Sequence, residues 1–353
     1  QGEATPESRI KAPYRYKLDW GQDITDSHVH ETQKLTLTGV LRDSSNTGII
    51  QFGARVETKT RFDYLKKFGV GEKTDVRFEG ETAGLLANWQ DWDKMTDKTS
   101  MFGQGIAVTP IQAAFLYQAI ANGGVHMQPY FIERIDDNGV EIYRHELAPE
   151  QVLTPEVALR TVDTLKGVIK FGTARRTPLE NDRPAAGKTG TQDDNTNAWF
   201  VGFSKQMTTA VWVGDPKAYT PMVNIPEFVA KDGITRVQGS MYPARIWKQF
   251  MDAAHTNLPV EDWEAPPAAV PTETRPDPSP MRIYLPGNEC LAKVVSGTVP
   301  PTIAPPTTKL GKPAPTTTTV PFDPTNTVVI NVVDPGTTIS PTDTNPFSPT
   351  NTI

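Results

Sequence analysis

Two stretches of the chain repeat apolar residues at helical spacing and open with the same punctuation. After Thr109-Pro110, the residues Ile111, Phe115, Ala119 and Ile120 share one face, and Gly123-Gly124 closes the run. After Thr154-Pro155, Val157, Val162, Leu165 and Ile169 do the same, and Gly172 closes it. Thr at the N-cap, Pro as first helical residue and Gly past the end all suit the unpaired backbone groups of helix termini, so each run predicts a helix. A shorter helix is expected over about Thr60 to Phe68, ending at Gly69. A last one, Pro243 to about Ala254, sets Ile246, Trp247, Phe250 and Met251 at helical spacing.

The period shortens to two after residue 184. Ala185 to Thr191 is short and marked by Gly187 and Gly190, Ala198 to Phe203 follows, and Thr208 to Val213 comes next. Short gaps join the three, which predicts an antiparallel meander against which the last helix lays its apolar stripe. Upstream, Leu35 to Leu41 is apolar-patterned and Ile49, Ile50 and Phe52 are expected to be buried. Ser44-Ser45-Asn46 between them should cap the junction of two helices. The fold class expected is α+β: a helical region, then an antiparallel sheet with a covering C-terminal helix.

Composition changes the picture at residue 264. Of the 32 prolines, 19 fall in residues 265–353, among Thr-rich runs such as Thr316 to Thr319. Proline at that density forbids helices and central strands, so residues 1–264 are read as globular and 265–353 as a disordered tail. Within it, Thr327 to Val333 is the one stretch with strand character, and it has no obvious partner in the tail. The whole chain of 353 residues is 37% hydrophobic and 22% charged with a net charge of −6, which is ordinary for a globular protein and gives no electrostatic reason to expect nucleic acid. No apolar run approaches the roughly 18 to 20 residues of a membrane span.

Several conspicuous residues carry little. A single cysteine, Cys290, cannot form an internal disulfide and is read as a bystander rather than a nucleophile. His28-Val29-His30 followed by Glu31 offers half of a zinc site. No ligand group accompanies His126, His145 or His255, so no metal and no cofactor is expected. Trp89 and Trp92, with Asp91 and Asp93, suggest a carbohydrate platform less than a packed loop.

Chemistry concentrates at Lys188-Thr189-Gly190-Thr191. On an exposed strand edge, Gly187 and Gly190 leave backbone bare for an extended peptide, Thr189 and Thr191 offer hydroxyls to a terminal carboxylate, and Lys188 offers a fixed positive charge. Ser44 and Asn46, in a loop, offer a proton relay and an amide that can hold a carbonyl. Taken singly, the first tripeptide also fits a surface turn and the second an N-cap.

Ser-x-Asn followed by Lys-Thr-Gly across a helical region is the arrangement of penicillin-recognising serine acyltransferases. The chain resembles the transpeptidase domain of penicillin-binding proteins over about residues 20 to 262. Ser44-Ser45-Asn46-Thr47-Gly48, Gly103 to Pro110, Ala119 to Gly124, Gly172-Thr173-Ala174 and Ala186 to Thr191 all fall in family order. The first half is more similar to monofunctional division or elongation synthases. Asn197 to Gly202, Val213-Gly214-Asp215 and Pro243 to Trp247 are more similar to bifunctional glycosyltransferase-transpeptidases, so the subclass stays open.

The resemblance implies roles: Ser44, Asn46 and Lys188 in catalysis, and Thr189, Gly190 and Thr191 in binding peptidoglycan stem peptides or β-lactams. It implies a site on the outer face of the cell membrane, with an anchor upstream, and contact with other cell-wall synthesis or division proteins. It also implies a nucleophile in a Ser-x-x-Lys motif well upstream of Ser44. The match present, Ser8-Arg9-Ile10-Lys11, lies close to Ser44, lacks a preceding Pro-Gly and is followed by Ala12-Pro13-Tyr14-Arg15-Tyr16 without helical spacing. The nucleophile is therefore expected to precede Gln1, and this fragment to be inactive by itself. Two other readings remain: a non-catalytic scaffold of the same fold, and a carboxypeptidase or β-lactamase relative, for which no deacylating base is evident.

Overall fold

The computed structural model describes residues 2–74, 76 and 79–267 and the backbone of 327–329. Most of the Pro/Thr-rich segment 265–353, Cys290 included, lies outside the described residues.

The first fifth of the described chain is built from short pieces. Strands β1 (Arg9–Ala12) and β4 (Gln33–Thr36) pair antiparallel, and β2 (Arg15–Lys17) pairs with β3 (Asp23–Thr25). Helices α1 (Leu37–Asp43), α2 (Asn46–Gly53), α3 (Thr58–Lys67) and α4 (Lys94–Thr99) follow. Next come α5 (Pro110–Ala121), the small strands β5 (Val125–His126), β6 (Arg134–Asp137), β7 (Val140–Arg144) and β8 (Glu150–Gln151), and α6 (Pro155–Lys170). The main sheet holds β9 (Ala186–Thr191), β10 (Asn197–Phe203) and β11 (Met207–Gly214), and the described chain ends with α7 (Pro226–Asp232), α8 (Tyr242–Ala254) and β12 (Thr327–Val329). The mixture is α+β, as the patterning implied.

The long helices begin where the punctuation put them. Thr109 and Thr154 cap α5 and α6 through their side chains, and Gln112 completes a capping box with Thr109. The sheet order is β12-β11-β10-β9, with β9, β10 and β11 an antiparallel meander. Strand β12 pairs in parallel with β11, so Thr327–Val329 finds its partner in the globular sheet rather than in the tail.

Neighbouring positions on the sheet serve opposite faces. Val201 and Ala210, paired across β10 and β11, pack with Ala113 and Ala114 of α5. Phe200 and Val211, the adjacent pair, pack with Trp247 and Met251 of α8. Trp247 is fully buried, donates its indole N–H to Gly202 O at 3.0 Å and meets Phe200 edge-on. A Cβ at Gly202 would stand 2.8 Å from the Trp247 ring, so that glycine exists to let the helix lie flat.

Two of the expected core residues face water. Val157 and Ile246 are 44% and 41% exposed, while Ala158 in α6 and Ala244 in α8 are fully buried. In α8 the stripe runs through Ala244, Trp247 and Met251, and Ile246 sits about 100° round the helix from Trp247. Val157 lies in the first turn of α6.

Candidate active site

Helix α1 ends in Ser44, which adopts the left-handed conformation (φ 60°, ψ 44°). A serine held there is strained by about 1 kcal/mol or more. The kink turns the chain straight into α2: Ser45 becomes its N-cap, accepting the Gly48 N–H at 3.0 Å, and Asn46 its first residue. The tripeptide does join two helices.

The left-handed turn aims the Ser44 hydroxyl at the sheet. Lys188 Nζ donates to Ser44 Oγ at 2.7 Å and to the Thr189 carbonyl at 3.1 Å. Among the described residues its strand, β9, is the last in the sheet, hydrogen-bonded to β10 on one side only. Lys188 keeps partial exposure as a residue, yet its ammonium is deep, and burial pushes its pKa down to about 8. A lysine with that value exists in both protonation states near neutral pH and can pass a proton to or from the hydroxyl it touches.

The two halves of the site are sewn together through the end of α6. Gly172 comes so close to Arg42 that a Cβ would stand 2.4 Å from the Arg42 carbonyl, which also accepts the Thr173 N–H at 3.2 Å. Thr173 Oγ1 then shares a 2.8 Å hydrogen bond with Thr189 Oγ1. At the far end of β9, Thr191 Oγ1 accepts the Gly239 N–H at 3.0 Å, which leaves its own hydrogen free to donate elsewhere. A cavity of about 330 Å³ opens beside these groups, lined by Ser44, Thr173, Arg175, Asp26, His28 and His30 among others.

Of the residues singled out from sequence, Ser44 and Lys188 touch, and Thr189 joins them through its carbonyl, which accepts from Lys188. Asn46 stands beside Ser44 in the chain, but its amide donates to the Thr25 carbonyl at 3.1 Å. The glycines of β9 also make room for β10. A Cβ at Gly187 would lie 2.7 Å from Val201 O, too close for any side chain, and one at Gly190 would lie 3.2 Å from Trp199 Cβ, a tight contact. The open edge follows from the strand order.

Sequence reasoning missed Asp26 and Thr25, which hold the Ser44–Asn46 turn from below. Asp26 is a lone carboxylate in a short polar loop after β3, with no spacing to mark it. Thr173 did carry a signal, inside the Gly172-Thr173-Ala174 motif. His30 donates to the Glu31 carbonyl and bonds the Asp26 carboxylate, and among the described residues no group of three or more His, Cys, Asp or Glu is arranged to hold a metal ion. Trp92 meets Phe62 edge-on and bonds the Ala87 carbonyl, as a packed loop would.

Ser8 does not open a helix. Its motif runs into β1, where positions three apart face opposite ways, and Ser8 Oγ accepts the Thr5 N–H at 2.9 Å in a turn. Another serine–imidazole contact, Ser204 to His255 at 2.8 Å, is sealed in the core: both residues are buried and the second ring nitrogen of His255 bonds the Met251 carbonyl. Among the described residues no helix is long and apolar enough to cross a membrane.

A family model described as the penicillin binding protein transpeptidase domain matches residues 1–223. The chain is 37% identical over 172 residues to penicillin-binding protein 1A of Aquifex aeolicus, covering 48% of this chain and 22% of that protein. It is 29% identical over 209 residues to a probable peptidoglycan D,D-transpeptidase, PenA, of Neisseria meningitidis, covering 56% of this chain and 34% of that one. The chain thus spans between about a fifth and a third of the length of these curated relatives. Its fold matches penicillin-binding protein 3 of Mycobacterium tuberculosis, solved with aztreonam, with a TM-score of 0.61 at 24% identity, covering 74% of this chain and 60% of the other.

Proposed function

Because the chain belongs to the penicillin-binding protein transpeptidase family, we propose that it carries two walls of a serine D,D-transpeptidase site that cross-links peptidoglycan stem peptides. The observation that carries the reading is the 2.7 Å contact between Lys188 and Ser44, 144 residues apart in sequence, at an open strand edge.

In the proposed reaction a serine hydroxyl attacks the penultimate D-alanine carbonyl of a stem peptide. The C–O bond forms, the C–N bond breaks, and the departing D-alanine takes a proton. Ser44 and Lys188 relay that proton. Asn46 holds the substrate amide, while Thr189 and Thr191 clasp the terminal carboxylate along the strand at Gly190. The Thr191 N–H supplies half of an oxyanion hole, a contribution of about 3 kcal/mol to the barrier once a second donor is in place. An amine from a neighbouring stem then takes the acyl group. A β-lactam would enter the same way, its own acid group on the two threonines.

The serine itself is assigned to a Ser-x-x-Lys helix outside residues 1–353, since Ser8 lies in a turn before a strand. Residues 1–264 are then a partial transpeptidase domain and 265–353 a tail without a catalytic part. The site faces outward from the cell membrane, where its substrate is, with an anchor upstream and other wall-synthesis or division proteins as neighbours.

Labelling with a fluorescent penicillin tests this. The full-length protein should label covalently and the 353-residue chain should not. Labelling of this chain at Ser8 would refute the assignment of the nucleophile. A full-length protein that folds, lacks the motif and stays unlabelled would favour the scaffold instead.

A further inference from the structure

The loop after β3 places two polar side chains beneath the Ser44–Asn46 turn. Asp26 is 8% exposed and accepts three hydrogen bonds. They come from Ser45 Oγ at 2.8 Å, Thr47 N at 2.9 Å and His30 Nε2 at 3.0 Å, while the Thr47 hydroxyl, 3.4 Å away, gives its hydrogen to the Pro13 carbonyl. Its neighbour Thr25 accepts from Asn46 through its carbonyl. Residues 25 and 26 thus grip positions 45, 46 and 47 from one side. The carboxylate also stands at the N-terminus of α2, where unpaired N–H groups favour negative charge.

His30 completes the arrangement. Its Nδ1 lies 2.7 Å from the Glu31 carbonyl and its Nε2 3.0 Å from the Asp26 carboxylate. Both partners are acceptors, and a neutral imidazole has one N–H to give. The doubly protonated ring is the form that satisfies both. A carboxylate held by a cation on one side and two donors on the other is fixed in place, and the turn with it.

We propose that Asp26 and His30 are a positioning pair, which holds the left-handed turn so that the Ser44 hydroxyl stays against Lys188. The pair acts through the turn and does not touch the reacting atoms; that there is a reaction to position rests on the function proposed above. The His30 pKa is raised, first by its hydrogen bond to the Glu31 carbonyl and also by Asp26, against the opposing effect of burial. The hold is therefore complete below the ordinary histidine value of about 6.5 and is lost as pH rises through the raised value. Other groups facing His30 are Tyr14 edge-on, His28 at 5.7 Å between ring centroids, and Asp43 and Arg175 around the same cavity.

The first test is the rate of acylation of the full-length protein by a fluorescent penicillin, followed across pH for wild type, Asp26→Asn and His30→Gln, with the folded fraction measured for each. Asp26→Asn should slow acylation per folded molecule by roughly 10- to 100-fold, the range a displaced catalytic group produces. His30→Gln should slow it less and erase an alkaline-side inflection present in wild type. The second test uses the 353-residue chain: reactivity of Lys188 toward an amine reagent, read by peptide mass spectrometry. Asp26→Asn should raise that reactivity, because the hydroxyl covering the amine moves away. Variants that melt earlier but keep the wild-type acylation rate, pH profile and Lys188 reactivity would overturn the proposal. If wild type takes up no penicillin but Lys188 still responds to Asp26→Asn, the transpeptidase reading fails and the positioning pair stands.

Discussion

The two walls of the site are rigid for different reasons. Lys188 stands on β9, whose place is set by a ladder to β10 and by a core in which Phe200, Phe203, Trp247 and Met251 have almost no exposure. Ser44 stands on a turn between two short helices whose own apolar cluster is small, with Val40, Phe52, Leu35 and Ala12. That turn is kept in shape by a buried polar network around Asp26. Apolar packing is tolerant of exchange and independent of pH. A polar network is directional, and fails when one member is lost or changes protonation.

Breaking the sheet side should have the largest effect. Trp247→Ala removes a fully buried ring and its bond to Gly202 O, and should cost about 3 to 5 kcal/mol in a denaturant titration. A cost under about 1 kcal/mol would mean that α8 does not anchor the strand.

On the turn side, Thr47 is buried and donates its hydroxyl to the Pro13 carbonyl at 2.8 Å. Thr47→Val keeps the shape and removes the donor, for an expected loss of about 1 to 3 kcal/mol. The two substitutions should add, since they load different networks; strong coupling between them would erase the distinction drawn here.

The smallest effect should have the opposite sign. Lys188 is charged against its surroundings, so Lys188→Met should stabilise the fold by about 1 kcal/mol at neutral pH while abolishing the proposed proton relay. Its depressed pKa, about 8, means that wild-type stability is lowest below pH 8 and rises toward the unfolded value near 10.5. The gap between variant and wild type should close over that window. A gap that widens with pH would show that the ammonium is better solvated than its burial implies.

The same contrast explains what could be read from the sequence. The helices after Thr109 and Thr154, the meander and α8 announce themselves because caps and apolar periodicity are local marks of long elements. Strands β1 to β4 do not: they run three or four residues with charges interspersed, and only tertiary pairing makes them strands. The faces of α6 and α8 were legible in period but not in phase at Val157 and Ile246, because where a helix overhangs its sheet is a property of the packing. Ser44, Lys188 and Thr189 were found through motifs. The groups that hold the turn were not, since Asp26 and Thr25 reach it from another part of the chain and nothing in their spacing says so.

The central claim is that Ser44 and Lys188 work as one unit, and a double-mutant cycle on penicillin acylation of the full-length protein tests it most directly. Ser44→Ala and Lys188→Ala should each slow acylation by roughly 100-fold or more, and the double variant should be little slower than either alone. Losses that multiply, or a Ser44→Ala variant as fast as wild type, would contradict the account.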